Sequence, residues 1–362
     1  MNKKLLAVAI GAAFASAPMF ANAAATVYGL ANVSIDRLDD GQTTDNEIMT
    51  LSSNASYIGF KAEDDLGGGM KGLVGIEFGF AFDNTGTNAA CTNAACTTTT
   101  NASTINNYNV FAGLSGGFGT VRLGNYDDIM KQVGRSVDFF VSRQLGESRS
   151  MTAGNGMDAR LANSVNYESP KLGPVMITFN YGLATDAQES IGQDLTAMAL
   201  GVQANFGGVY VGAAYKLRDI DAGASTDATT GMRVSAAFTM GPFKVGGLYQ
   251  KFENDFAVVS LDVYGVGASF KIGNGTIKGQ YYSAGESASG AANGATLMAI
   301  GYDHSLSKTT TVYVAYAQIE NDLTGGYSLI SPGHSNPQDI VGFNPIANGT
   351  NSGLSAGVAI AF

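Results

Sequence analysis

The chain has 362 residues, a formal charge of −10 at pH 7, 48 glycines, seven prolines, no tryptophan and two cysteines. Its acidic balance excludes a nucleic-acid binder, which needs a basic footprint, and no window holds the roughly eighteen consecutive apolar residues of a spanning helix. Abundant glycine without a collagen period or matching proline points to many strands and turns.

The first residues read as a secretory leader. Lys3 and Lys4 form a charged n-region, Leu5 to Ala17 an apolar stretch, and Ala21-Asn22-Ala23 a small-x-small cleavage site. This predicts a signal peptide over 1–23 and a mature domain over 24–362. Without Lys3 and Lys4, eighteen basic residues face thirty acidic ones, a net charge of roughly −12.

From Thr26 the pattern has period two: Val27, Gly29, Ala31, Val33 and Ile35 fall on one side, Tyr28, Asn32, Ser34 and Asp36 on the other. The same reading gives segments near 55–65, 71–82, 108–116, 119–126, 164–169, 175–183, 195–206 and 209–218. It continues through 231–240, 243–253, 259–272, 275–284, 296–304, 309–319 and 353–362, sixteen in all. Segments of about ten residues match a tilted strand crossing a bilayer.

The connections alternate between tight and long. Gly116-Gly117, Gly207-Gly208, Gly241-Pro242 and Gly273-Asn274-Gly275 carry turn residues. Long connections run over Leu38–Ser52, Asp83–Asn107, Asp127–Asn163, Ala184–Asp194, Asp219–Thr230, Gly285–Ala295 and Glu320–Ser352, with a shorter one around Asn254–Phe256. That is an up-and-down meander with both ends on one rim, the fold class of an all-β, 16-stranded antiparallel transmembrane β-barrel. The last segment ends on Phe362 and closes the barrel, because an open sheet edge has no water to bond in lipid.

Charges assign the faces. A Lys or Arg turned to lipid at the midplane costs roughly 2–4 kcal/mol, so mid-strand charges should point inward. Tyr57, Lys61, Glu63, Glu77, Arg122, Lys244, Gln250, Lys278 and Gln280 then face the lumen, against Ile58, Phe60, Val74, Ile76, Phe78, Val121, Leu123, Phe243, Val245, Tyr249, Ile277 and Tyr281 outside. Tyr28, Tyr126, Tyr249, Tyr281 and Phe270 lie near strand ends and read as an interfacial girdle, a sugar-stacking slide in the lumen being the alternative.

The stretch 127–163 alone refuses to alternate. It mixes Asp127, Asp128, Asp138, Glu147 and Asp158 with Lys131, Arg135, Arg143, Arg149 and Arg160 and with Phe139, Phe140, Val141 and Leu145. Its aromatic and β-branched content argues against a solvated disordered tail, and a loop of that length is otherwise functional. It is expected to fold inward as the third extracellular loop.

Motifs of catalysis carry little here. Gly113-Leu114-Ser115-Gly116-Gly117 fits a hydrolase elbow, and Gly67 with Gly69 and Gly72 a dinucleotide fingerprint, but both need a strand-to-helix context and sit at strand-strand turns. His304 and His334 supply no triad. The reading is no enzyme, no cofactor and no metal. Cys91 and Cys96 are expected to close a small disulfide loop in an oxidising compartment.

Several stretches carry a family resemblance: Thr26-Val27-Tyr28-Gly29; Ser56-Tyr57-Ile58-Gly59-Phe60-Lys61; Glu63-Asp64-Asp65-Leu66-Gly67-Gly68-Gly69-Met70-Lys71; Phe118-Gly119-Thr120-Val121-Arg122-Leu123-Gly124; Asn163-Ser164-Val165; Gly301-Tyr302-Asp303; and the terminal Phe362. In these the chain resembles a Gram-negative general porin of the sixteen-stranded, trimeric kind, particularly the beta-proteobacterial branch. The resemblance implies an outer-membrane channel for passive diffusion of small hydrophilic solutes and ions. It also implies a homotrimer in contact with outer-membrane lipids and lipopolysaccharide, Phe362 as the signal read by the barrel-assembly machinery, and the third loop as a constriction.

Departures matter too. Tyr57 and Asn125 stand where the family commonly has arginines that favour anions, so weak selectivity of either sign is expected. The expected pore-lining set is Tyr57, Lys61, Glu63, Glu77, Arg122, Asn125, Asp127, Asp128, Asp138, Arg160, Lys244 and Lys278. A substrate-specific channel and a surface adhesin on a barrel scaffold are the competing readings.

Overall fold

The computed structural model describes residues 25–42, 47–83, 105–141, 144–183, 194–221, 226–254, 259–287, 291–330, 343 and 345–362. The expected leader over 1–23, the Cys91–Cys96 pair, Arg143, His334 and parts of several long connections lie outside them.

Among the described residues the strands are β1 (Thr26–Asp39), β2 (Glu47–Ser53), β3 (Tyr57–Gly67), β4 (Met70–Phe80), β5 (Ile105–Gly116), β6 (Gly119–Asp127), β7 (Arg160–Glu168) and β8 (Val175–Gly182). They continue as β9 (Asp194–Phe206), β10 (Val209–Asp221), β11 (Thr226–Met240), β12 (Phe243–Asn254), β13 (Val259–Ile272), β14 (Gly275–Ala284), β15 (Ala295–Ser305), β16 (Thr310–Asn321) and β17 (Thr350–Ala361). From β3 onward each pairs antiparallel with its successor, and β17 pairs back with β1 from Leu30↔Ala361 to Asp39↔Ser352. The chain end completes the seam. Gly29 N donates to Phe362 O at 2.9 Å and Phe362 N donates to Gly29 O at 3.1 Å, so among the described residues the sheet closes on itself, with a paired strand on either side of β1 and of β17, as lipid requires.

Strands β2 and β3 lie end to end along β1: Val33 to Asp39 pair with β2, Thr26 to Leu30 with β3. They form one stave, and the barrel has sixteen. This corrects the long connection expected over Leu38–Ser52, since β1 runs on to Asp39 and β2 starts at Glu47. A kink at Ala55, φ 50°, shifts the pleat by one residue between the two halves of the stave, from Val33↔Ser53 in β2 to Leu30↔Tyr57 in β3. Buried side chains hold the kink. Asn54 Nδ2 donates to Ser34 Oγ at 2.8 Å and to the Tyr313 hydroxyl at 3.0 Å, and that hydroxyl donates to Asn32 Oδ1 at 2.8 Å.

One alternation along the strands is exposed and apolar: Phe60, Val74, Leu123, Val202, Val211, Val234, Val245, Val266, Ile277, Ile300 and Val314. So large a band on a closed barrel is a lipid-facing surface. The other alternation carries Asn180, Lys216, Arg233, Gln250, Lys278 and Gln280, all buried.

What buries them is the segment between β6 and β7. It contains α1 (Ile129–Arg135), α2 (Arg149–Thr152) and a 3-10 turn over Gly154–Gly156. Asp128 caps α1, accepting from Lys131 N at 2.9 Å, which satisfies one of the unpaired amides of the first turn. Ile129, Met130, Val133, Phe140, Leu145 and Met157 are at most 1% exposed, and each contributes about 1.5–3 kcal/mol by leaving water. They fit because the wall is cut back to glycine beneath them. A Cβ on Gly201 would lie 2.3 Å from Ile129, one on Gly231 2.2 Å from Met157, one on Gly267 2.4 Å from Phe139 and one on Gly353 2.8 Å from Leu145. A single segment touching β9, β11, β13 and β17 can do so only from the concave side. It is the third loop, folded inward.

Candidate functional site

The inner surface has two unlike halves. Along β8–β16 the loop is fastened to the wall by buried polar contacts. Arg233, fully buried, donates to Asp158 Oδ1 at 2.6 Å and Oδ2 at 3.1 Å, to Met130 O at 2.7 Å and to Gln250 Oε1 at 2.9 Å. Lys216 pairs with Asp128 and donates to Gly156 O at 2.6 Å. Gln280 Nε2 donates to Asp138 Oδ1 at 3.0 Å and Gly146 O at 2.7 Å, while Phe139 N donates to its Oε1 at 2.9 Å. Asn180 Oδ1 accepts from Ile129 N at 2.8 Å. Burial pushes the Asp158 carboxyl up, but the Arg233 guanidinium more than offsets this and holds it at about 2.

Three residues expected in the lumen are therefore corrected. Asp128, Asp138 and Lys278 are 0%, 5% and 5% exposed, sealed into the loop-wall contact. Asp138 accepts from Ser148 and Phe140 amides, and Lys278 pairs with Asp303 at 2.7 Å and with Gln144. Carboxylates and ammonium groups of this kind are buried because each meets a fixed partner.

The opposite half, along the start of β1 and along β3–β7, is less closely covered by the loop, and inward side chains such as Tyr28, Tyr57, Glu77, Tyr108, Arg122 and Arg160 are half-buried there. Here three cations converge on one carboxylate. Asp127 meets Lys131 Nζ at 2.6 Å, Arg160 Nε at 3.1 Å and Arg135 Nη1 at 3.2 Å. The Lys131 ammonium, 2% exposed, is pushed down to about 7 by burial and by Arg160 and Arg135 against the pull of Asp127. Arg135 is 51% exposed at its side chain. The cluster thus carries a positive excess beside this less covered wall.

Aromatic rings line that wall. Tyr28 and Tyr57 are 6.1 Å apart edge to face, Tyr57 and Tyr108 6.1 Å apart and tilted, and Phe111 and Tyr126 5.2 Å apart. Cations lie over them: Lys61 Nζ 5.3 Å from Tyr28, Arg160 Cζ 4.3 Å from Tyr108, Arg122 Cζ 4.7 Å from Tyr126. Tyr28 donates to Glu77 Oε1 at 2.9 Å, and Asn109 N donates to Oε2 at 3.1 Å. Tyr28 and Tyr126 are thus interior residues, which corrects the girdle expected for them. Tyr249 and Tyr264, 5.0 Å apart, and Tyr281 keep the outward register.

The remaining expected residues divide. Tyr57, Lys61, Glu77, Arg122, Asp127 and Arg160 come together at this wall, and Asn125 Nδ2 donates to Tyr108 O at 2.6 Å. Glu63 does not join them; it pairs with Lys71 at 3.0 Å, both exposed, by the β3–β4 turn. Lys244 lies on the covered side, donating to Ser136 O at 3.2 Å. Sequence reasoning missed Lys216 and Arg233, although the charge rule that placed Lys278 applies to both in mid-strand. It also missed Tyr108, which a register shift between Ile76 and Phe78 turns inward.

A family model described as Gram-negative porin matches residues 6–324. The chain is 29% identical over 346 residues to outer membrane porin protein 32 of Delftia acidovorans, covering 89% of this chain and 90% of that one. It is 27% identical to a monosaccharide porin of Halomonas sp, covering 78% and 79%. Among solved structures, an anion-selective porin from Comamonas acidovorans superposes with a TM-score of 0.78 at 23% identity, over 94% of this chain and 100% of that one.

Proposed function

The chain belongs to the Gram-negative porin family, and from that membership we propose how its channel discriminates among solutes. The protein is a porin of the Gram-negative outer membrane, a water-filled channel through which small hydrophilic solutes and ions diffuse passively. A sixteen-stave barrel is wide enough for an aqueous passage. The passage runs between the inward loop and the wall of β1 and β3–β7, so the third loop is its constriction. Tyr57, Lys61, Glu77, Arg122, Asn125 and Arg160 line it, and the buried Asp127 pairs with Arg160 and Arg135 beside it.

Selectivity is weak and tilted toward anions. One observation carries this: Lys131, Arg135 and Arg160 all meet the single carboxylate of Asp127. Fixed charges at a narrow section lie within a Debye length, roughly 8 Å at physiological salt, of every passing ion. Glu77 and Glu168 moderate the field; Arg122 Nη1 lies 3.5 Å from Glu168. The anion-selective relative supports the sign. A reversal potential in asymmetric KCl tests it: a chloride preference is expected, and a potassium preference would overturn it. Export through the leader over 1–23, a Cys91–Cys96 disulfide, trimer assembly and recognition of Phe362 by the assembly machinery belong to the same proposal. A heat-modifiable trimer band on an unboiled gel checks the assembly.

A further inference from the structure

We propose that Tyr28, Tyr57 and Tyr108 form a binding subsite, charged at the Arg160 end, for solutes that carry a carboxylate on a six-membered ring. This rests on the channel reading above and gives it a substrate class.

The rings form one built surface. Tyr28 lies on β1, Tyr57 on β3 and Tyr108 on β5, in successive steps of 6.1 Å. All three are half-buried, so part of each ring is presented to the lumen. Glycine on the adjoining stave makes room for them: a Cβ on Gly59 would lie 2.5 Å from the Tyr28 ring and one on Gly79 2.4 Å from the Tyr108 ring. With any larger residue there the rings would be driven off the wall.

Charge gives the surface a direction. Glu77, on the Tyr28 hydroxyl, makes that end unfavourable for a carboxylate even with Lys61 close by. At the other end Arg160 lies 4.3 Å over Tyr108 and shares Asp127 with Arg135 and Lys131, so positive charge is in excess. A guanidinium matches a carboxylate in plane and charge, and a tyrosine face takes a flat or C–H-rich ring in offset or edge contact. The solute carboxylate therefore sits toward Arg160 and Arg135, with its ring on Tyr57. An acyclic carboxylate lacks the second contact, and a neutral ring lacks the first. Aromatic acids and uronic acids share the required chemistry.

The test uses the full-length protein reconstituted in planar bilayers, with KCl current titrated by benzoate, glucuronate, acetate and benzyl alcohol. Block is scored against each variant's own open current. Benzoate or glucuronate is expected to block saturably at concentrations at least fivefold below acetate and benzyl alcohol. Block by benzoate alone assigns aromatic acids and by glucuronate alone sugar acids; either supports the subsite. Tyr57→Ala is expected to raise the half-blocking concentration at least fivefold and Tyr57→Phe to keep the wild-type value, because the contact needs the ring and not the hydroxyl. Tyr108→Leu gives the same readout if Tyr57→Ala fails to fold. Equal block by acetate and benzoate, or block unchanged in folded Tyr57→Ala or Tyr108→Leu, overturns the proposal. Conductance without ring-dependent block overturns the subsite alone, whereas no conductance in any salt overturns the channel reading and the subsite with it.

Discussion

Arg233 and Asp158 meet through two hydrogen bonds, 2.6 and 3.1 Å, in a site where neither side chain is more than 2% exposed. The arginine comes from the wall strand β11 and the aspartate from the inward loop, 75 residues apart in sequence. The loop's position depends on this pair, because a buried charge without its partner has nowhere to find another.

Arg233→Met is therefore expected to free the loop end at Asp158, destabilising it by about 3–5 kcal/mol, since one charge is left buried and uncompensated. Arg233→Met combined with Asp158→Leu should recover most of that loss, because an apolar pair of similar volume is tolerated. Hydrogen exchange of the α1 amides measures both.

Acid should act on the same contact. Asp158 is held at about 2 by Arg233 against the burial that pushes it up, below an unperturbed value of about 3.9. A depressed carboxylate contributes stability that is fully present above its unfolded value and is lost as pH falls through the folded one. Loop protection should hold down to about pH 4 and decline toward pH 2. Asp158→Asn should flatten that decline.

Lys131 gives a second pH dependence of opposite origin. Its ammonium is pushed down to about 7, chiefly by burial, so the folded chain binds fewer protons than the unfolded one between about pH 7 and the ordinary lysine value of about 10.4. Stability from this group rises with pH across that window. The cluster also loses one positive charge as pH rises through 7, so chloride preference in asymmetric KCl should weaken between pH 6 and 8. Lys131→Met should abolish that change.

Gly201 is a steric test of the loop's seat. A Cβ there would lie 2.3 Å from Ile129 and 2.9 Å from the Ala213 carbonyl oxygen. Gly201→Val is expected to cost about 1–3 kcal/mol by overpacking and to shift α1 toward the passage. Single-channel conductance should fall.

Charges on the less covered wall are expected to oppose one another. Arg160→Gln and Arg122→Gln should each lower the reversal potential's chloride preference, and Glu77→Gln should raise it. If all three leave the potential unchanged, these side chains do not face the permeation path.

The inward bend of the third loop was legible only through the family resemblance; the sequence by itself determined the strand count and the closed meander. Those follow from period-two alternation, from turn residues at every second connection, and from the rule that mid-strand charge avoids lipid. Lys61, Glu77, Arg122 and Lys278 were all legible by that rule, because it depends only on parity within a strand. The kink at Ala55 and the register shift beside Glu77 broke parity, and with it the readings of β2 and Tyr108.

Only the tertiary structure decided which inward residues meet water. Lys278 shares the inward register of Lys61 and Arg122, and Asp128 and Asp138 sit on the loop itself, yet the loop-wall contact seals these three and leaves Lys61 and Arg122 beside the passage. That choice depends on where glycines such as Gly201, Gly231 and Gly267 let the loop approach the wall. Glycine in a strand reads alike whether it makes room for a ring, a loop or nothing, so alternation carries no trace of the difference. Contacts between residues a hundred or more positions apart settle it, as Gln280 and Asp138 do.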